Sequence, residues 1–190
     1  MRRLIFAINT SIDGCVDHTK QSVADEGPEF LEYFVDLMRG VDLQIFGRKT
    51  YELMVPYWPD VAKDPSSSPD DRAFGQAFTA LDKIVFSRTL DSVEDQNTRI
   101  VSTDLRDEIL KLKAGQGKDI LVGGVDIPSQ LIELGLIDEM RLVVGPTIVG
   151  EGRRLFDDVP LKGNFQLKLV ETKVFESGRV ALRYVRPDLV

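Results

Sequence analysis

Basic, hydroxyl and glycine residues follow three predicted buried strands of this 190-residue chain. The three stretches comprise Gly47, Arg48, Lys49 and Thr50, then Ser87 and Arg88, and finally Gly123 and Gly124. Glycine has no Cβ, so its main chain can approach a bulky anion, and arginine and hydroxyl groups donate well to phosphate. Because parallel strands end at one edge of a sheet, where ligands collect, the pattern predicts a phosphate-rich ligand there.

The basic loops suit a ribose 2′-phosphate better than an uncharged 2′-hydroxyl, which favours NADPH as the cofactor. Gly123-Gly124 precedes a helix predicted from Asp126, and a helix amino terminus favours a pyrophosphate. Two simpler interpretations stay open. The glycines make only a tight turn, or Arg48, Lys49 and Arg88 are ordinary solvated surface residues.

The composition limits the classes of function. A formal net charge of −7 disfavours nucleic acid and anionic membrane surfaces as partners. Cys15 is the single cysteine and His18 the single histidine, so no metal site is expected. The apolar stretch LIFAI is too short for an export signal, and we expect a reducing, cytoplasmic location. Without repeats or a break in composition, residues 1–190 are predicted to form a single domain.

Apolar strands alternating with amphipathic helices predict the architecture. Strands are expected at residues 3–9, 41–46, 83–88, 99–102, 119–122 and 139–149, with a C-terminal hairpin at 165–175 and 179–185. Helices are expected from Pro28, after Gly47, and from Ser68, Thr103 or Asp104, and Asp126, with a loop over 55–68. The prediction is a three-layer α/β fold with a mostly parallel central sheet, an antiparallel C-terminal hairpin and helices on both faces.

Motifs along nearly the whole chain resemble the dihydrofolate-reductase-like superfamily. They are SIDG at 11–14, GRKTYE at 47–52, KIVFSRTL at 83–90 and DILVGG at 119–124. The most specific is GLIDEMRL followed by P-x-x-x-G-x-G-x-x-L-F, within residues 135–156. The chain looks most like the branch typified by the reductase domain of bacterial riboflavin biosynthesis.

The resemblance implies an NADPH-dependent reductase, which in this branch is usually a homodimer. It would place Ala7 and Ile8 against the nicotinamide through main-chain groups, and residues 47–50 on the adenosine side. Ser87 and Arg88 would hold the 2′-phosphate. The pyrophosphate turn would comprise Gly123, Gly124, Val125 and Asp126, and the loop over the nicotinamide Ser11, Asp13 and Gly14.

One departure from the superfamily concerns folate. Dihydrofolate reductases proper carry a carboxylate on the first helix that binds the pterin and helps to protonate it. Here that position falls at or beside Phe30, and Glu29 is one residue off, which turns it about a quarter of the way around the helix. This departure counts against folate turnover, and dihydrofolate reductase remains as an alternative function.

Hydride transfer also requires a proton from an acid or from water. Asp13, Glu29, Tyr33 and Tyr51 are the donors within reach of the predicted site. Asp13 is favoured because its loop can lie over the cofactor, although SIDG is at least as typical of a plain turn. Ser11 and Glu29 are the other catalytic candidates.

Four aromatic residues are expected to contact the substrate: Phe30, Tyr33, Tyr51 and Trp58. Trp58 either stacks on a flat heterocycle or belongs to a small packing cluster. The first functional hypothesis is a reductase of a pyrimidine-, pteridine- or flavin-related molecule, which includes the ribosylamino-pyrimidine precursor of riboflavin. The alternatives are a dihydrofolate reductase and, from another class, a non-catalytic nucleotide-binding dimer.

Overall fold

Eight runs rich in β-branched and aliphatic residues form strands in the described chain, which comprises residues 1–20, 27–157, 159–161 and 163–189 of a computed structural model. Such residues pack well on a pleated, partly buried surface. The strands are β1 (Leu4–Thr10), β2 (Val41–Gly47), β3 (Asp82–Phe86), β4 (Thr98–Val101), β5 (Asp119–Val122), β6 (Glu139–Val144), β7 (Lys168–Val174) and β8 (Val180–Val185).

These strands form one sheet in the order β4-β3-β2-β5-β1-β6-β8-β7. β1 runs parallel to β5 and β6, β2 runs parallel to β3 and β5, and β3 runs parallel to β4. β8 is antiparallel to both β6 and β7. The carboxyl ends of β1 to β6 therefore lie at one edge of the sheet, which we call the carboxyl rim.

Six α-helices lie between the strands in the described part of the chain. They are α1 (Pro28–Arg39), α2 (Arg48–Met54), α3 (Trp58–Lys63), α4 (Pro69–Ala80), α5 (Leu105–Ala114) and α6 (Asp126–Glu133). Ser68 caps α4 by accepting the N–H of Asp71 at 3.0 Å, and Asp104 caps α5 in the same way. Such caps satisfy N–H groups that a helix start leaves unpaired. None of the described helices has the length and apolar character to span a membrane.

The helices cover both faces of the sheet. On one face α5 packs through Ile109, next to α6, against strand residues that include Ile45. On the other face α4 packs through Phe78, next to α1, against strand residues that include Phe46. Ile45 and Phe46 are neighbours in β2, and they point to opposite faces because side chains alternate along a strand. The result is a three-layer arrangement with a core on each side of the sheet.

This architecture confirms the predicted mostly parallel sheet, the antiparallel C-terminal hairpin and the helices on both faces. Two local predictions are wrong. The expected loop over 55–68 contains α3, which has Pro59 in its first turn, a position where proline is well tolerated. The strand expected over 139–149 ends at Val144, because Pro146 has no N–H to continue the ladder and Thr147 donates its N–H back to the carbonyl of Gly145 at 2.8 Å.

Candidate functional site

The three loops predicted to share an edge all begin at the carboxyl rim. Gly47 at the end of β2 pairs with Phe86 at the end of β3. Ile45 of β2 pairs with Val122 at the end of β5. Since the three strands are parallel neighbours, the chain leaves all of them at the carboxyl rim. The predicted juxtaposition of the loops is confirmed.

Close packing shapes the turn at Gly123-Gly124. Gly123 donates its N–H to the carbonyl of Ile45 at 3.0 Å. Gly124 has a φ of +84°, a left-handed conformation that residues with a Cβ disfavour. A Cβ at this position would also overlap Oγ1 of Thr50. The tight-turn interpretation therefore explains Gly124, and the bare main chain then leads directly into α6 at Asp126.

The basic residues of the rim differ in how far they are neutralised. Lys49 and Arg88 are exposed, and neither forms an ion pair with any residue the structure describes. Arg48 instead lies 3.0 Å from Glu52 on the next turn of α2. Ser87 Oγ accepts the N–H groups of the two residues that follow Arg88, at 3.2 and 3.0 Å, which curls the loop. Lys49 and Arg88 thus carry the positive charge available to an anion.

A gap opens in the sheet where β5 ends. β1 pairs with β5 only as far as Phe6, whereas beside β6 it continues to Thr10. Leu4 and Thr10 both direct their carbonyls to the β6 side. The N–H and carbonyl groups of successive residues point alternately to the two sides of a strand. Those of Ala7 therefore point to the β5 side of β1, beyond the end of β5. By the same alternation Ile8 directs its peptide groups toward β6, so its predicted main-chain contact with a nicotinamide is not favoured.

Asp13, the favoured proton donor, is held as an anion. Its carboxylate accepts hydrogen bonds from Ser11 Oγ at 2.6 Å and from the N–H groups of Val149 at 3.1 Å and Gly150 at 2.9 Å. The hydrogen bond from Ser11 contributes most to lowering the pKa of Asp13, and together these bonds keep that pKa well below its ordinary value. Arg154 lies 3.4 Å from the same carboxylate. A group that stays ionised is a poor acid at neutral pH, so the contacts favour a positioning role for Asp13.

The rest of the loop after β1 is held by similar contacts. Ser11 Oγ also accepts the N–H of Cys15 at 2.9 Å. Gly14, with a φ of +82°, accepts the N–H of Leu155 at 2.8 Å through its carbonyl. The loop expected to cover a nicotinamide therefore lies against residues 147–155, which follow β6.

The candidate residues at the start of α1 contact other parts of the protein. Glu29 accepts the N–H of Glu176 at 2.6 Å and so ties α1 to the turn between β7 and β8. Phe30 is buried in a cluster that includes Phe175. The ring of Tyr33 lies 5.8 Å from that of Phe175, and burial raises the pKa of its hydroxyl. The structure gives these side chains packing and linking roles.

Tyr51 and Trp58 belong to a different cluster. The Trp58 ring packs at 4.2 Å from Phe74 and at 5.1 Å from Tyr57, between α3 and α4. Tyr51 is buried in the same layer, and burial raises the pKa of its hydroxyl. The four aromatic candidates are therefore not brought together, and the contacts of Trp58 fit the packing-cluster interpretation.

Two clefts lie near opposite ends of the parallel strands. A cleft of about 290 Å³ lies beside the carboxyl rim, and its lining residues are Asp126, Ser129, Gln130, Glu133, Arg153 and Pro160. A larger cleft of about 480 Å³ lies where β2, β3 and β4 begin. There Arg2 pairs with Asp42, so much of the charge is already neutralised. The parallel strands place ligand-binding loops at the carboxyl rim, and we take that rim as the candidate site in preference to the larger cleft. The described residues include no group of three or more His, Cys, Asp or Glu that could hold a metal ion.

The model of the RibD C-terminal domain family matches residues 2–181. The chain belongs to this family. The uncharacterized protein YyaP of Bacillus subtilis (strain 168) is 33% identical over an alignment 190 positions long, which covers 96% of this chain and 94% of YyaP. The resemblance inferred from the sequence motifs is thereby confirmed.

Solved structures share the fold of this RibD C-terminal domain. A protein of Shewanella sp. PV-4 assigned to riboflavin biosynthesis has a TM-score of 0.71 at 22% identity, covering 97% of this chain and 98% of that one. The deaminase/5-amino-6-(5-phosphoribosylamino)uracil reductase of Thermotoga maritima has a TM-score of 0.68 at 14% identity, covering 97% and 56%. Dihydrofolate reductase of Enterococcus faecalis, complexed with NADP(H), has a TM-score of 0.63 at 17% identity, covering 98% and 97%. The fold is dihydrofolate-reductase-like.

Two arginines of this RibD C-terminal domain contact the rim without having been predicted as site residues. Arg153 lies 2.6 Å from the carboxylate of Asp126 at the start of α6. Arg154 donates through Nε to the carbonyl of Asp13 at 3.1 Å. Both lie in the segment after β6. Basic residues after a strand were the signal that identified the other two basic loops, and the same signal would have identified these arginines.

Proposed function

We propose that the protein is an NADPH-dependent oxidoreductase that transfers a hydride to a small heterocyclic substrate. The observation that carries the proposal is the gap beside Ala7, which opens on the same rim as Gly123-Gly124 and two exposed cations, Lys49 and Arg88, that pair with no described residue. A dinucleotide needs an apolar slot for its ring, main-chain donors for its diphosphate and cations for its phosphates. The rim has main-chain groups at Gly123-Gly124 and cations at Lys49 and Arg88, and the gap beside Ala7 is the place proposed for the ring.

The turn after β5 suits a diphosphate. The main chain of Gly123, Gly124 and Val125 lies at the start of α6, where the helix dipole adds partial positive charge. Asp126 would repel an anion here, but Arg153 at 2.6 Å balances its charge. This turn therefore holds the bridge between the two halves of the cofactor.

The loops after β2 and β3 suit a 2′-phosphate. Lys49 and Arg88 each lie two residues beyond the paired positions Gly47 and Phe86, in segments that follow adjacent strands at the carboxyl rim. Neither charge is used within the described structure, and charge-assisted hydrogen bonds are among the strongest available. These residues favour NADPH over NADH. Thr50 and Ser87 lie next to them in the sequence and add hydroxyl groups to the same segments.

When bound, NADPH supplies a hydride to an electrophilic carbon of the substrate. Ala7 then fixes the nicotinamide end through its main chain. The loop with Ser11, Asp13 and Gly14 closes the site, and a water delivers the proton because Asp13 is held ionised. Family membership and the reductase activity of the Thermotoga neighbour support a pyrimidine-related substrate, such as a riboflavin precursor.

Dihydrofolate is a weaker substrate candidate. Phe30 is a buried core residue, and Glu29, the adjacent carboxylate, binds the N–H of Glu176. The charge and the single cysteine lead us to propose a cytoplasmic enzyme without a nucleic-acid or membrane partner.

The test combines cofactor titration with turnover. NADPH should bind more tightly than NADH, and the absorbance of reduced nicotinamide should fall steadily when a pyrimidine precursor of riboflavin is added. A pteridine, a flavin and dihydrofolate complete the substrate panel. Binding of NADPH without consumption across the panel would show a non-catalytic nucleotide-binding protein, and equal binding of NADH would contradict the assigned 2′-phosphate site.

A further inference from the structure

Arg153 lies in the segment after β6, and this segment pairs with the loop after β1. Val16 donates its N–H to the carbonyl of Arg153 at 2.9 Å, and Leu155 donates its N–H to the carbonyl of Gly14 at 2.8 Å. These bonds flank a short antiparallel bridge between the two segments. Because the main chain of Arg153 takes part in this pairing, its position is tied to the loop expected to cover the nicotinamide.

The two consecutive arginines of this segment extend in different directions, as neighbouring side chains of an extended segment do. Arg154 lies 3.4 Å from the carboxylate of Asp13, within the loop after β1. Arg153 instead reaches α6, where its Nη1 lies 2.6 Å from Oδ1 of Asp126. Arg153 therefore connects the loop after β1 with the turn at which the diphosphate is proposed to bind.

Asp126 keeps the guanidinium of Arg153 close to this turn. Asp126 is the first residue of α6 and directly follows the turn. Its side chain is short, so a group that pairs with its carboxylate lies near the main chain of the turn. A guanidinium has five N–H donors in one plane and can bind two anionic groups at once. The side chain of Arg153 is 36% exposed, so an anion bound at the turn can reach it.

On the basis of the proposed function, we propose that Arg153 binds the cofactor diphosphate directly while it stays paired with Asp126. The guanidinium then does more than balance the charge of Asp126, because it donates charge-assisted hydrogen bonds to the diphosphate as well. Since the main chain of Arg153 holds Val16, a bound diphosphate also stabilises the loop over the nicotinamide. Arg153 is thus a cofactor-binding residue that links the two ends of the cofactor site.

A double variant separates direct binding from charge balance. R153Q should weaken NADPH binding by roughly 10- to 100-fold, the loss expected when hydrogen bonds between charged groups are removed. NADH binding should fall by the same factor, because both cofactors contain the diphosphate. If Arg153 only balanced Asp126, removing both charges would restore the wild-type affinity. D126N/R153Q should instead bind NADPH roughly 10-fold more weakly than the wild-type protein.

Calorimetric titration measures these affinities. R106Q, which changes an exposed arginine on α5, is the control and should leave them unchanged. R153K keeps the charge but replaces the planar guanidinium by a single ammonium, so it should recover only part of the loss. Urea unfolding of each variant shows whether it is folded.

Hydrogen exchange tests the link between the diphosphate and the loop. 2′-Phospho-ADP-ribose contains the diphosphate but no nicotinamide, whereas 2′-AMP contains neither. The first compound should slow amide exchange at Val16 and Leu155 of the wild-type protein, measured by NMR. Saturating 2′-AMP should leave both amides unchanged, and so should saturating 2′-phospho-ADP-ribose with R153Q.

Four outcomes would overturn this role of Arg153. Two concern affinity: R153Q binds NADPH as tightly as the wild-type protein, or D126N/R153Q does. The other two concern exchange: 2′-AMP slows it as much as 2′-phospho-ADP-ribose, or R153Q shows the same slowing as the wild-type protein. In all four cases the wild-type protein still binds NADPH, so the proposed function stands. A wild-type protein that binds neither NADPH nor NADH would refute the proposed function, and the role of Arg153 with it.

Discussion

Thr50 at the start of α2 and Gly124 after β5 touch across the carboxyl rim, with the Thr50 hydroxyl occupying the place where a Cβ of residue 124 would lie. Their contact fixes the spacing between the loop that carries Lys49 and the turn before α6. Because Gly124 also has a φ of +84°, two physical reasons require glycine there.

G124A should destabilise the protein by about 2–4 kcal/mol, since left-handed backbone strain adds to the overlap with Thr50. G135A is the matched control, because Gly135 has a φ of +68° and open space around it. It should cost only the strain, about 1–2 kcal/mol. Urea unfolding measures both changes, and T50A should recover part of the loss in G124A. Equal losses in G124A and G135A would show that the Thr50 contact has no energetic importance.

R88A should weaken NADPH binding by roughly 10- to 100-fold, the loss expected when a charged group loses its hydrogen-bonded partner. NADH binding should change little, because NADH has no 2′-phosphate. R106A, which removes an exposed arginine on α5, is the control and should leave both affinities unchanged. Calorimetric titration measures all of them. A parallel loss for NADH and NADPH in R88A would place Arg88 elsewhere on the cofactor.

D13N tests whether Asp13 positions the loop or donates a proton. If Asp13 is a positioning residue, its change to Asn should lower kcat by a similar factor at all neutral and alkaline pH values. A proton donor would instead contribute a limb to the pH profile of kcat, and D13N would remove that limb. Steady-state rates across pH separate the two roles.

The same carboxyl affects stability at acid pH. Because the folded-state pKa of Asp13 lies below its ordinary value of 3.8, its contribution to stability is present above that value and is lost as the pH falls further. The difference in melting temperature between wild type and D13N should therefore shrink below about pH 4. A difference that stays constant into strong acid would contradict the ionised, hydrogen-bonded state of Asp13.

E139Q should cost roughly 3 kcal/mol of stability, because it removes a buried anion that pairs with half-buried guanidinium groups. Glu139 is fully buried in β6 and accepts hydrogen bonds from Arg141 at 2.7 Å and Arg183 at 3.0 Å. Burial pushes the pKa of Glu139 up, but these hydrogen bonds outweigh burial and the pKa lies below its ordinary value. D36N, which removes the exposed partner of Arg39, is the control and should cost at most about 1 kcal/mol. Similar urea midpoints for the two variants would contradict this account.

The sequence was sufficient to predict the sheet and the position of the rim. Strands such as β5 are continuous apolar runs that end in glycine or a turn, and parallel order then brings Gly47, Ser87 and Gly123 to one edge. These features depend on local patterns and on one general rule of α/β topology. The basic loops could be recognised because charged residues that directly follow a buried strand do not belong to the apolar core.

The catalytic and substrate candidates depended on contacts between residues distant in sequence. The partners that hold Asp13 ionised, Val149 and Gly150, lie far along the chain, and so does Glu176, which engages Glu29. Trp58 was ambiguous because an aromatic residue in a loop suits a ligand wall and a packing cluster equally well. Only the three-dimensional arrangement distinguishes these cases.

A crystal structure of the complex with NADPH is the sharpest test of the proposed cofactor site. The diphosphate should lie within hydrogen-bond distance of the main chain at Gly123-Gly124, the 2′-phosphate beside Lys49 and Arg88, and the nicotinamide next to Ala7. A cofactor bound in the larger cleft at the opposite edge of the sheet, with these three loops empty, would contradict it.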